Sequence, residues 1–471
     1  MTKWLEMMMT IVMLLGLSAC SGNDSAPIDE APATQELTQV EKATEEGNES
    51  PQAETAVTAN PLEAGIAVVN ITPDVLSHHT PLGGYGEREN APAEGIHDYT
   101  LSKALILKQG DKKFALVTLD LLGVPRSLRD EILLRIQDTG IVSENLLLAP
   151  SHSHASVEML AMNRNNVFQN KNIGIFDEFL LLYTADKIAE SIIAANQSFE
   201  PVSAGTASTI IEGMNANRRG NVRTDNEMVI LRLDDAQGNP KVIFINYAAH
   251  PTFMNEHTMH VSAGWPGYLQ REVEGFMGPD TICMYANGAE GDLRPSGVSG
   301  PSEFAKAEAY GRILAVRAVD VAQGIKTSPE AELNFAFHTL KLPPRTAPKA
   351  LLDSAGPEYG LTADNIQALI EALAPETSYL TTLQIGDLTA VSIPGEMTTI
   401  LGLEIKNTLR ESGAKHPIIV GLGNEWISYI LNTEEYYQGG YEPGVSFYGD
   451  QLGPMITQQA IAAGKELLAK E

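Results

Sequence analysis

Where an apolar run ends, the chain places two histidines one residue apart, in Leu147-Leu148-Ala149-Pro150-Ser151-His152-Ser153-His154. Side chains at i and i+2 share one face of an extended segment, so His152 and His154 can point into a single space. Three more apolar runs lead to residues able to hold a metal: 242–249 to His250, 388–395 to Glu396, and 417–422 toward Tyr429. Two others close on Asp120 and Asp292. Two imidazoles with a carboxylate and one more oxygen or water suit zinc, which accepts mixed nitrogen and oxygen ligands and keeps a position open when catalytic. Zinc lowers the pKa of a bound water to about 7, which makes hydroxide available near neutrality. Tyrosine is a rare ligand, so residue types alone leave Tyr429 among the core aromatics. They also leave His257 with His260, and His78 with His79, as loop residues, and Asp120 and Asp292 as orienting carboxylates or loop caps.

Such residues need elements that deliver them. Lys113 to Asp120 reads as a buried strand, and the segment after it carries Leu128, Ile132, Leu133 and Ile136 on one helical face before Gly140 stops it. Helical patterns start again at Phe176 and at Phe304, the second ending at Gly324. The runs 228–233, 242–249, 281–286, 388–393 and 417–422 read as short buried strands. This alternation predicts an α/β fold: a mixed, mostly parallel sheet or sheets flanked by helices, with the metal site at the carboxyl ends of the strands, where open α/β sheets form ligand crevices. No repeat of 20 to 50 residues is visible, which excludes solenoids and propellers.

A formal net charge of −28 argues against nucleic-acid binding and against direct docking on anionic headgroups. The apolar stretch from Met7 to Leu17 is too short to span a bilayer but suits a signal-peptide core, and Leu17-Ser18-Ala19-Cys20 resembles a bacterial lipobox. That resemblance implies cleavage before Cys20 and lipidation of its thiol, a membrane contact through the lipid, and a place in the bacterial cell envelope, at the outer membrane. From Ser21 to Asn60 nine acids face the single Lys42 in a stretch of Ala, Thr, Pro, Gln and Ser, too polar to offset its chain entropy by burial. The expected organisation is therefore a signal peptide at 1–19, an acidic tether at 20–60 and one folded domain at 61–471. Cys283 is the only other cysteine, so core burial rather than a disulfide must hold the body together.

The body also resembles the N-terminal catalytic domain of the neutral, non-lysosomal ceramidase family, zinc amidases that cleave the N-acyl bond of ceramides. The stretches that carry the resemblance include Gly65 to Pro73, Gly83 to Leu107, Ala149 to Ser156, Met214 to Asn221, Asn246 to Asn255, Asn287 to Pro295, Ile393 to Thr399 and Ser428 to Gly449, in the family's order. The resemblance implies zinc as cofactor, with His152, His250, Glu396 and Tyr429 as its ligands. It implies catalytic roles beside the scissile amide for His154, Arg218 and Tyr441, and a small-molecule or lipid N-acyl substrate. Departures bear on mechanism. The family's serine, often assigned as nucleophile, is Arg294 here; its Ser-Gly-Pro after the histidines is Ala155-Ser156-Val157; its Asp-Asn segment is Ala263-Gly264-Trp265; and the family's C-terminal β-sandwich is not expected. Guanidinium neither attacks a carbonyl nor loses its proton near neutrality, so direct attack by activated water is the expected route, with Arg294 contacting an anionic substrate group. A non-catalytic binding lipoprotein with a structural metal, and an esterase or deacylase of other substrates, are the alternatives.

Overall fold

Three sheets of four main strands, the first extended at one edge by the two-residue strand Glu200–Pro201, dominate the computed structural model, which describes residues 60–221 and 223–469. The first contains β1 (Glu63–Asn70), β2 (Leu101–Gln109), β3 (Lys112–Leu119) and β4 (Leu146–Pro150). The second contains β5 (Ser203–Ile210), β6 (Glu227–Asp234), β7 (Pro240–Tyr247) and β8 (Ile282–Asn287). The third contains β9 (Leu333–Lys341), β10 (Thr377–Ile385), β11 (Leu388–Ser392) and β12 (His416–Val420). Six longer helices accompany them: α1 (Arg126–Arg135), α2 (Glu178–Ala195), α3 (Gly264–Met277), α4 (Glu303–Gly324), α5 (Thr399–Glu411) and α6 (Leu452–Leu468).

One plan is used three times. Three antiparallel strands are followed by a helix that crosses to a fourth strand, parallel to the third, and then by a second helix. The spatial orders β4-β3-β2-β1, β8-β7-β6-β5 and β12-β11-β10-β9 are the same walk. One apolar cluster draws Leu105 and Leu147 from the first sheet, Leu231 and Phe244 from the second, and Leu383 and Ile418 from the third, so the sheets share a core. Each sheet's other face is covered by its own helices: α1 and α2, α3 and α4, α5 and α6. The helix starts follow local chemistry. The Asp177 carboxylate accepts from Leu180 N at 3.2 Å, and the Ser302 hydroxyl from Ala305 N at 3.2 Å, each satisfying an otherwise unpaired first-turn donor.

The α/β class and the mixed sheets are as expected, but parallel ladders do not predominate. Each of the three sheets has one parallel pair, β3 with β4, β7 with β8 and β11 with β12, and its other ladders are antiparallel. The physical reason is that these sheets are covered on both faces, so their antiparallel strands also read as unbroken apolar runs, the pattern usual for parallel strands. The turns held the missing signal. Gly110-Asp111 joins β2 to β3 and Gly386-Asp387 joins β10 to β11, each glycine at positive φ (58° and 52°), as tight hairpins require.

Between the second and third units, Lys406 on α5 donates to Asp225 at 2.7 Å and lies 2.9 Å from Glu227, with the lysine almost wholly buried. Arg410 also pairs with Glu227, so Lys406→Met should leave Asp225 as the uncompensated buried charge, a loss of about 3–5 kcal/mol. A thermal midpoint unchanged from wild type would show that this pairing contributes nothing to joining the units.

Candidate metal centre and active site

The segments after β4, β7, β11 and β12 converge. After β4 the backbone leaves the extended region at once: His152 sits at φ +70°, a left-handed conformation that costs a non-glycine residue on the order of 1–3 kcal/mol. Its N–H donates to Leu121 O at 2.9 Å and its ring Nδ1 to Leu122 O at 2.6 Å, which hold the twist in place. His152 and His154 do share one space, but strand alternation is not the cause, because β4 ends at Pro150. Their rings stand nearly perpendicular, centroids 4.8 Å apart, with the two Nε2 atoms 3.3 Å from each other. Gly84, at φ +92°, has no room for a Cβ because His154 Nδ1 lies against it.

His250 is fully buried, and its Nδ1 reaches Glu290 O at 2.8 Å and Leu293 O at 3.0 Å. A carbonyl only accepts, so Nδ1 of His152 and of His250 each carries a hydrogen, and in the neutral rings Nε2 is left as a lone pair. Both lone pairs face the same oxygen: Glu396 Oε2 lies 3.0 Å from His250 Nε2 and 3.5 Å from His152 Nε2. Glu396 Oε1 accepts from Trp426 Nε1 at 2.8 Å, which orients the carboxylate. Three acceptor atoms aimed at one another repel unless a cation lies among them. His154 adds a third imidazole, and the ligand atoms of His152, His154 and His250 all lie within 4.8 Å of one another. The donor set fits a divalent metal, and the fixed Nδ1 hydrogens are the arrangement that metal-binding histidines use.

Electrostatics sharpen the centre. Burial, with Arg218 adding to it, pushes His250 down to about 4, and burial with His152 beside it holds His154 well below the usual imidazole range. Burial works to raise the Glu396 carboxyl, but His152 and His250 outweigh it and hold it well below the ordinary range. Tyr429 is paired in register with Glu396 between two short parallel strands. Burial raises its phenol well above 10, while Arg218, whose Nη2 donates to the Tyr429 oxygen at 2.9 Å, pulls the other way. Arg218 is held by Glu442 at 2.7 Å and by Gly291 O at 2.9 Å. Burial opposes its charge, but Tyr429, Glu442 and Glu396 more than restore it. The Tyr441 ring meets that of Tyr429 edge-on at 5.9 Å, and its hydroxyl lies 2.7 Å from that of Tyr359.

All seven residues expected at the centre, His152, His154, His250, Glu396, Tyr429, Arg218 and Tyr441, therefore gather in one place. Others do not join them. Asp292 accepts from Thr399 N at 2.8 Å and from Asn217 Nδ2 at 2.6 Å, and Asp120 accepts from Leu101 N at 2.9 Å; both are braces. His78 pairs with Asp177 at 2.9 Å, in a loop as expected. Arg294 is exposed, outside the cavity, and makes no hydrogen bond or ion pair among the described residues, so the expectation that it contacts an anionic substrate group finds no support. Cys20 lies outside the described residues. Reading the sequence missed Trp426, Tyr359 and Glu442, which act on the centre through partners far away in the chain and leave no spacing pattern.

The centre opens into a cavity of about 330 Å³ lined by His152, His154, Glu396, Tyr429 and Tyr441 at one end. The 345–375 segment, with Leu351, Leu361, Leu369 and Leu373, supplies much of the apolar wall, joined by Val445 and Phe447. Trp426→Phe keeps the ring but removes the donor to Glu396. It should weaken divalent-metal affinity about 10–100-fold in a chelator competition; unchanged affinity would mean that the carboxylate does not bind the ion.

Comparison with known proteins identifies the family and the fold. The model of the neutral/alkaline non-lysosomal ceramidase N-terminal domain matches residues 63–303 and 356–458. The chain is 20% identical to neutral ceramidase from Mycobacterium tuberculosis over 82% of its own length and 74% of the relative's, and 22% identical to neutral ceramidase from Pseudomonas aeruginosa over 83% and 69%. The crystal structure of the Pseudomonas aeruginosa neutral ceramidase superposes with a TM-score of 0.74 at 20% identity, over 87% of this chain and 75% of that one. A ceramidase complexed with C2 superposes with a TM-score of 0.75 at 19% identity, over 87% and 76%. With the family pattern matched across its three units, the chain belongs to the neutral/alkaline non-lysosomal ceramidase family.

Proposed function

We propose that this protein is a zinc-dependent hydrolase that cleaves the N-acyl amide bond of lipid-like substrates by direct attack of water, and that it is held on the bacterial cell envelope by lipid at Cys20. One observation carries the hydrolase reading: the Nε2 atoms of His152 and His250 face Glu396 Oε2 at the end of a largely apolar cavity. Family membership supports amide hydrolysis, and the relatives are ceramidases. His152, His250, Glu396 and Tyr429 would hold the metal. When bound, zinc supplies Lewis acidity and makes water acidic enough to attack near neutrality.

The protein's own groups do the rest. His154 has one ring nitrogen, Nε2, at the metal ligands and the other, Nδ1, buried without a hydrogen-bond partner. It can take a proton from the attacking water and deliver it to the departing amine. Arg218 is charged and fixed from behind by Glu442, so it orients its neighbour Tyr429 and stabilises negative charge on the carbonyl oxygen. The Tyr441 hydroxyl, backed by Tyr359, donates to that same oxygen. No serine is among the described residues that line the cavity, and Ser296, outside it, donates to Gly213 O at 3.1 Å, which favours direct attack by water over an acyl-enzyme.

The test is fatty-acid release from ceramides and other N-acyl compounds, with and without a chelator. Release should require the metal and show no burst of the first product. His154→Ala should lower turnover about 10²–10⁴-fold, the usual weight of a positioned proton carrier, while Ser296→Ala leaves it unchanged. A trapped acyl-serine, or dependence on Ser296, would overturn the water route. With metal bound and no compound cleaved, a binding lipoprotein would replace the hydrolase reading.

A further inference from the structure

Beside its apolar residues the cavity is lined by the polar side chains of Glu158, Asn163, Asn165 and Asn172. Of the four carboxylates that line it, two have no cation among the described residues: Glu371, which is exposed and accepts from Gln367 Nε2 at 2.9 Å, and Glu158. The Glu425 carboxylate pairs with Arg126 at 2.8 Å and Glu396 faces the histidines, whereas no Lys, Arg or His among the described residues comes within ion-pairing distance of Glu158. The nearest cation, Arg88, directs its donors to the carbonyls of Gly83, His154, Asn255 and Thr258. One Glu158 oxygen, Oε1, accepts from Leu160 N at 3.0 Å and so caps the short turn Met159–Met162. The other oxygen, Oε2, lies against Gly83-Gly84, and the Gly84 and Met159 N–H groups also favour the charged carboxylate, which lines the cavity without a cation of its own.

Its position relative to the reaction is set by a glycine pair. A Cβ on Gly83 would lie 3.1 Å from Glu158 Oε2, while Gly84 has His154 Nδ1 against it. Consecutive Cα atoms are about 3.8 Å apart, so the carboxylate and the imidazole lean on neighbouring residues of one loop. In the mechanism above His154 serves the departing amine, so Glu158 falls on the amine side of the cleaved bond, and the apolar lining from the 345–375 segment is left for the acyl chain.

We propose that Glu158 forms a cation-accepting subsite for the amine-side portion of the substrate, so that the preferred substrates are N-acyl amines carrying a protonated nitrogen beside the cleaved bond. The subsite rests on the hydrolase reading for its orientation. Withdrawal from solvent pushes Glu158 up to about 7, and a bound ammonium is the partner that brings a carboxylate back toward its ordinary range. The three asparagines offer further donors and acceptors to the same portion of the substrate.

The test compares octanoyl amides of 1,2-diaminoethane, ethanolamine, propylamine and glycine, by turnover and by calorimetric binding to the full-length, metal-loaded protein. The quantity read is the ratio between the diaminoethane and ethanolamine amides within each variant. In wild type it should be about tenfold or more in favour of the diaminoethane amide, as a charge-assisted hydrogen bond implies, with the glycine amide poorest. Glu158→Gln, which retains the capping oxygen, should bring the ratio close to one, and Glu158→Asp should keep part of it; equal metal content in all three proteins confirms the fold. A ratio unchanged in Glu158→Gln, or a preference for the glycine amide, overturns the subsite. Cleavage of none of the amides, with the binding ratio present in wild type and lost in Glu158→Gln, overturns the hydrolase reading and keeps the subsite.

Discussion

Lone pairs that face one another organise this protein. Backbone carbonyls of Leu122, Glu290 and Leu293 take the Nδ1 hydrogens of His152 and His250, so both Nε2 atoms turn toward the Glu396 carboxylate. Acceptors at such separations repel one another unless a cation lies among them, and the fold holds them together. Trp426 pins the far oxygen of Glu396, and the left-handed backbone of His152 is kept by two hydrogen bonds to the 121–122 segment. Local strain of this kind persists only where the surroundings over-determine it.

Three repetitions of one strand and helix plan supply those surroundings. The first unit sends His152 and His154 from the end of β4, the second sends Arg218 and His250, and the third sends Glu396, Tyr429 and Tyr441. No unit holds a complete site. The shared apolar core between the sheets therefore has a chemical consequence, since a shift of one sheet against the others would separate ligands that belong to different units. The cavity is shared in the same way: Glu158 and the lining asparagines come from the first unit, and many of its apolar lining residues come from the 345–375 segment of the third.

How much of this was legible in the sequence depends on the range of the interaction concerned. Residues that end apolar runs, such as His152, His250 and Glu396, could be picked out because strand carboxyl ends are where crevices form, and they do meet. Tyr429 could not be separated from a core aromatic by its type. Its place follows from the short bridge to Glu396, a pairing between segments distant in sequence, and only the family resemblance pointed to it. The helices at Glu178–Ala195 and Glu303–Gly324 were legible from their helical apolar pattern, which Asp177 and Ser302 reinforce by capping them locally. Strand direction was not, since doubly covered antiparallel strands look like parallel ones; the Gly110-Asp111 and Gly386-Asp387 turns carried that information in two residues each. Glu158 gave no signal, because a glutamate after an apolar segment is ordinary until a cavity is seen in front of it.

The central claim is that one metal ion joins ligands from all three units. X-ray absorption at the zinc edge, on protein purified without added metal, reads it directly. The account predicts one zinc per chain in a shell of two imidazole nitrogens and two or more oxygens at about 2.0–2.2 Å, with the imidazole signal reduced in His250→Ala. A protein that neither carries nor takes up zinc, or a zinc shell of water oxygens alone, would contradict it.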